Sequence, residues 1–319
     1  MRGRAIWPLL VVACAPLDDA PDDDPVEPPT VCPVRAPVVP LVVATLPTPL
    51  VEVSGMVASP SGQELLWMHN DSGDAARVFA VRRDGALVAT LSLPDVVLVD
   101  AEDIAAGPCP DGVGRCLVVA DTGDNLKARD DAHLAFVREP SLDEETLAQE
   151  LAADVVVDAP LRYEGGPVDV EAIAFAPDGA RVILVEKIDD ARARVFVVDA
   201  PFTDDGRLEA RVLGEVASPG LPVPLGRAIT ALDVHPSGRA VVVRAYTGVF
   251  EFVTAAPATS DRSWARLFAS VPVRVATGPL REPQGESVAY DLDGRTVLLA
   301  SEILAGGGGQ PLFAVPCAE

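Results

Sequence analysis

One order of apolar and polar positions recurs along the chain. An acidic or small hydroxyl residue opens a strand of mixed pattern, a (D/S)G turn follows, and a nearly unbroken apolar run comes next. The clearest copies are EAIAFAPDGARVILVEK from Glu171 and ESVAYDLDGRTVLLASE from Glu286. TALDVHPSGRAVVVRAY from Thr230 and SGMVASPSGQELLWMHN from Ser54 keep the same frame, and a fifth copy from Glu102 carries an insert. The second strands (LLWM, LVVA, VILV, VVV and VLLA) lack alternation, so both of their faces are expected to be covered. The anchors at 54, 102, 171, 230 and 286 lie 48, 69, 59 and 56 residues apart, the spacing of a four-stranded blade with its loops. The pattern predicts an all-β fold, a β-propeller of five four-stranded blades, with residues 126–166 leaving room for a sixth.

Third strands are expected at RVFAVRR, HLAFVRE, RVFVVDA, GVFEFV and PLFAVPC, and fourth strands at ALVATLSL, ADVVVDAPL, EARVLGEV and SWARLFASV. The last copy ends without a fourth strand, whereas VVPLVVATL from Val38 has no partner near it in sequence. That N-terminal strand is expected to complete the last blade and close the ring, removing an exposed edge. SLDEETLAQELAADV, with Ser141 and Glu144 at capping-box spacing, is the one segment that predicts a helix.

The first 13 residues combine Arg2 and Arg4 with an apolar stretch too short to span a bilayer, and the form resembles a bacterial lipoprotein signal that ends before Cys14. That resemblance implies a lipid on Cys14 and residence in the cell envelope, at the outer membrane. An ordinary cleaved signal would instead leave the protein secreted or periplasmic. Residues 14–36 are rich in proline and aspartate without periodicity and predict an extended tether. The propeller domain is expected over residues 37–319, as a monomer. Cys32, Cys109, Cys116 and Cys317 are even in number and allow three pairings. Cys109 with Cys116 would staple one turn, and Cys32 with Cys317 would join the two ends of the ring.

The net charge is −23, and without residues 1–36 there remain 42 acidic against 22 basic residues, which excludes nucleic acid as a partner. In a propeller the residues entering first strands and leaving second strands share one mouth of the channel. That places Glu102, Glu171 and Glu286 beside His69, Asn70, Asp121, Lys187 and Tyr246, with Arg227 just before an entry. Carboxylates gathered in this way need a cation or raised pKa values. Calcium would accept such hard oxygens, and turn-forming or solvated carboxylates without an ion are the alternative. Asp71-Ser72-Gly73-Asp74 and Asp121-Thr122-Gly123-Asp124 offer further oxygens, although such runs also form plain turns. His69 is a candidate ligand or acid/base with hydrogen-bonded structure as its alternative, and Lys187, Arg227 and Tyr246 are candidate ligand-binding groups. There is no GxSxG elbow, HExxH, paired CxxC or dinucleotide fingerprint.

VEAIAFAPDGARVILVEK, GESVAYDLDGRTVLLASE and DAEDIAAGPC with CLVVADTGDN resemble bacterial secreted propellers of the esterase-like phytase, SdiA-regulated and NHL/gluconolactonase-like groups. The resemblance covers roughly residues 50–316 and implies divalent-ion ligands at Glu102, Asp121, Glu171 and Glu286. Two functions follow as expectations. One is a lipid-anchored surface propeller that binds a protein or small-molecule ligand at its acidic mouth. The other is a calcium-dependent hydrolase of a phosphoester or lactone, with Glu171 activating water.

Overall fold

The computed structural model describes residues 39–143, 146–276, 284–302 and 309–317. The leader, the tether, Cys14, Cys32 and Glu144 fall outside the described residues. The fold is all-β. In chain order the elements are β1 (Leu41–Thr45), β2 (Val53–Ala58), β3 (Leu65–Asn70), β4 (Arg77–Arg82), β5 (Leu87–Ser92), β6 (Ala101–Pro108), β7 (Arg115–Asp121) and β8 (His133–Arg138). There follow β9 (Gln149–Ala152), β10 (Val155–Tyr163), β11 (Val170–Phe175), β12 (Arg181–Glu186), β13 (Arg192–Asp199) and β14 (Leu208–Ala217). The chain continues with β15 (Ile229–Val234), β16 (Ala240–Ala245), β17 (Gly248–Val253), α1 (Asp261–Phe268), β18 (Val273–Ala276), β19 (Gln284–Tyr290), β20 (Thr296–Glu302) and β21 (Pro311–Pro316).

The sheets, antiparallel except where β9 joins β5 and β14 joins β10, have the orders β2-β3-β4-β5-β9, β15-β16-β17-β18, β19-β20-β21-β1 and, in one eight-stranded sheet, β11-β12-β13-β14-β10-β8-β7-β6. The eight-stranded sheet is two four-stranded meanders fused where β10 and β14 run parallel over Leu161–Tyr163. The sheets are thus not five separate sets of four, because an edge with free N–H and C=O groups recruits whatever strand lies beside it. The first strands β2, β6, β11, β15 and β19 pack side by side, each against the next, and β19 returns to β2. β1 pairs with β21 as the outer strand of the last sheet.

The second strands β3, β7, β12, β16 and β20 are buried almost throughout, as their unbroken apolar runs require. The core lies between neighbouring sheets, with Trp67, Phe136, Phe196 and Phe252 at its centre. The (D/S)G turns are built as expected, with Gly62, Gly112, Gly179, Gly238 and Gly294 all at positive φ.

Two segments differ from expectation. Residues 149–152, read from sequence as helix, are strand β9, paired parallel to β5 and held also by Ser92 Oγ donating to the Leu151 carbonyl at 3.0 Å. The open edge of β5 outweighs the weak local helix preference there. SWARLFASV, read as a strand, instead contributes to α1, where Ser260 and Ser263 form a capping box and Trp264, Leu267 and Phe268 supply a buried i, i+3, i+4 face. The fourth strand of that sheet is β18. No extra sheet arises from residues 126–166 among the described residues, since β8 and β10 belong to one meander and β9 joins the first.

Candidate functional site

A single local device recurs in all five first strands. The pairing register shifts across the anchor residue, between Val53 and Gly55, Ala101 and Asp103, Val170 and Ala172, Ile229 and Ala231, and Gly285 and Ser287. Each anchor therefore sits in a β-bulge, which re-aims its side chain out of the alternation of the strand. The short hydroxyl anchors reach only the next strand: Ser54 Oγ donates to the Glu102 carbonyl at 2.6 Å and Thr230 Oγ1 to the Gly285 carbonyl at 2.8 Å. The longer Glu102, Glu171 and Glu286 extend instead to the mouth.

There they meet acids from neighbouring loops. Ligand oxygens of Asp71, Asp100 and Glu102 lie within 4.8 Å of one another, and so do those of Glu102, Asp169 and Glu171, so Glu102 is common to both groups. Gly123 makes the first group possible, since a Cβ there would overlap Glu102 Oε1 and lie 2.5 Å from Asp100 Oδ2. Asp169 is steadied by the Asp124 N–H at 2.8 Å. Lys187 Nζ donates to Glu171 Oε1 and lies 5.6 Å from the centre of the Tyr246 ring. Gln284 Nε2 donates to Glu286 Oε1 at 2.7 Å. Glu171 is only 2% exposed, and its Oε2 has no hydrogen-bond partner among the described residues.

Burial, reinforced by neighbouring carboxylates, pushes Glu102 and Glu171 well above the usual carboxylate range, and Asp100, Asp169 and Glu286 also rise, chiefly through burial. Glu302, partly buried and hydrogen-bonded to Asp71, is raised to about 8. Burial works against the Lys187 charge, but Glu171 and Tyr246 override it and raise its pKa. Among the described residues Asp71, Asp100, Glu102, Asp169, Glu171, Glu286 and Glu302 gather at the mouth, and the site can lower their repulsion by holding protons or a cation.

The other residues singled out in the sequence have different positions. Asp121 is turned to structural work: Oδ1 accepts from the Val99 and Asp100 N–H groups at 2.8 and 2.6 Å, and Oδ2 faces Arg129 and His133. Those donors outweigh burial and hold its carboxyl below the usual range. Asn70 likewise ties down its loop, accepting from Val51 and Glu52 N–H groups and donating to the Pro49 carbonyl and Asp74. His69 is fully packed beside Gly55, with Nδ1 2.8 Å from the Asn70 carbonyl oxygen; burial lowers its pKa and keeps the ring neutral. Arg227 is half-buried on the loop before β15, where its N–H meets Asp189 Oδ1 at 3.3 Å. His133, which carries no obvious role in sequence, lies between Asp158 and Asp121; burial opposes its charge, yet the two carboxylates raise its pKa to about 10. Cys109 and Cys116 form a disulfide, and Cys317 is also disulfide-bonded, while its expected partner Cys32 lies outside the described residues.

Asp100 and Asp169 were absent from the sequence-derived ligand set, yet a signal exists for them. Both stand two residues before an anchor glutamate, in Asp100-Ala101-Glu102 and Asp169-Val170-Glu171, and a shared D-x-E on neighbouring first strands places four carboxylates together. Inside the ring, Asp103 and Asp233 act as strand ties. Asp103 Oδ2 accepts from Ile173 N–H at 2.8 Å and Asp233 Oδ2 from Tyr290 N–H at 2.7 Å, and burial raises Asp233 to about 7. Comparison with protein-family models and with curated proteins finds no match to this chain.

Proposed function

We propose that the five meanders are the blades of a β-propeller, held at the cell envelope by a lipid on Cys14, whose acidic mouth loads a divalent cation and binds a ligand or partner there. The closed succession of first strands supports the propeller reading. One observation carries the site: Glu102 lies within ligand reach of both Asp71 with Asp100 and Asp169 with Glu171. Hard carboxylate oxygens suit calcium, which accepts many of them in irregular geometry. Calorimetric titration with calcium tests the site. Glu102→Gln should abolish binding because both groups lose their common ligand, whereas Glu286→Gln should retain it; wild-type protein that takes up no calcium ends the reading.

A second reading, a calcium-dependent hydrolase of a phosphoester or lactone, rests on the proximity of Glu171 to the same ligands, where a carboxylate of raised pKa beside a cation can take a proton from water. Calcium-dependent turnover of a nitrophenyl phosphate or a simple lactone, lost in Glu171→Gln, would favour it. Calcium binding without either activity leaves the binding function alone.

A further inference from the structure

Beside the Lys187 and Tyr246 corner of the mouth stands a loop that displays apolar side chains and is held rigid in doing so. Residues 220–226 read GLPVPLG, and Leu221, Val223 and Leu225 are 51%, 47% and 56% exposed. Pro222 and Pro224 fix their own φ and bias the residues before them toward extended backbone. The two glycines close the loop on itself: a Cβ on Gly220 would overlap the Gly226 carbonyl, and one on Gly226 would lie 2.5 Å from the Leu221 carbonyl oxygen. Leu221 N–H donates to Thr247 Oγ1 at 2.7 Å, Thr247 Oγ1 donates to the Gly226 carbonyl at 2.6 Å, and Leu225 N–H donates to Asp189 Oδ2 at 2.8 Å. Leu225 is held at φ 60°, a left-handed conformation that a leucine rarely adopts. Such strain persists only where surrounding bonds impose it, and here the bonds hold three apolar side chains with about half of their surface in solvent.

Charge selects among possible occupants. Anionic headgroups and a second copy of this chain would both meet a domain carrying 42 acidic against 22 basic residues, and repulsion disfavours each. A cationic chain is attracted. We infer that the loop over residues 220–226 and the adjacent acidic mouth form one docking surface for a protein segment in which lysine or arginine alternates with leucine-like residues. The apolar side chains seat on Leu221, Val223 and Leu225, and the basic ones face the exposed Asp189 and Asp190 at the foot of the loop. This names the partner of the mouth and rests on the proposed binding function.

Fluorescence anisotropy of a labelled peptide of alternating leucine and lysine, titrated with the full-length chain, tests it. Wild type should bind, with affinity falling as salt is added. The variant carrying Leu221→Ser, Val223→Ser and Leu225→Ser should lose about tenfold or more in affinity while keeping the melting temperature and calcium affinity of wild type. Equal peptide binding by that variant, equal binding of a leucine and glutamate peptide, or binding of phosphatidylcholine vesicles in place of the peptide would overturn the inference. Peptide binding that behaves as expected in a protein that takes up no calcium would reject the cation site and leave this surface standing.

Discussion

Gly123 and Glu102 occupy space that a single added methyl group would make mutually exclusive. The glycine is at ordinary φ, so its missing side chain serves the carboxylate and not the backbone. Gly123→Ala should displace Glu102 and Asp100, destabilise the fold by roughly 1–3 kcal/mol and abolish calcium uptake. Urea unfolding and calorimetry on the same preparation measure both effects. Unchanged stability with intact calcium binding would show that the mouth has more slack than this geometry allows.

Lys187 is the ion-pair partner of Glu171. Replacing it by methionine leaves the buried Glu171 carboxyl without its donor, a loss of about 1–3 kcal/mol because that group, already raised well above the usual range, can answer by holding a proton. The same change makes the mouth more negative. Lys187→Met should therefore melt earlier in chelator yet bind calcium more tightly than wild type, and weaker calcium binding in this variant would contradict the cation site.

Several groups make stability fall as pH rises. Asp233, at about 7, and Glu302, at about 8, are raised above their unfolded values, so the folded state holds their protons more tightly and loses that advantage between about pH 4 and their folded values. His133, raised to about 10, stabilises fully below about pH 6.5 and loses its contribution as pH rises through 10. Asp74, Asp121 and Glu186 are lowered and act oppositely, with stability lost only in acid below about pH 4. In chelator the melting temperature should decline from about pH 5 to about pH 9, and added calcium should recover most of the loss at the alkaline end. A flat or rising profile would mean that these carboxyls are better solvated than the packing implies.

The bridge between Cys109 and Cys116 closes a short turn with seven residues of sequence separation. By loop-closure entropy, its removal should cost about 2–3 kcal/mol. Thermal melting of Cys109→Ala with Cys116→Ala against the oxidised wild type checks this, and a loss below about 0.5 kcal/mol would place the stability of that hairpin in its strands alone.

Local pattern alone determined the all-β class, because unbroken apolar runs such as Val182–Val185 within β12 can be satisfied only by sheets covered on both faces. It also located the five anchors and the mate for the unpaired N-terminal strand, since both are repeats or omissions visible along one dimension. Only the tertiary structure decided the rest. Whether residues 149–152 coil or pair depended on the free edge of β5, a non-local surface that intrinsic propensity does not register. Asp121 resembled a ligand by its place at the end of a second strand, yet donors from residues 99, 100, 129 and 133 claim both its oxygens. Asp100 and Asp169, two positions before their glutamates, join the cluster because the bulges at Glu102 and Glu171 turn those side chains toward them. Residue type and spacing specify which groups are available; the directions in which bulges and packing point them determine which ones meet.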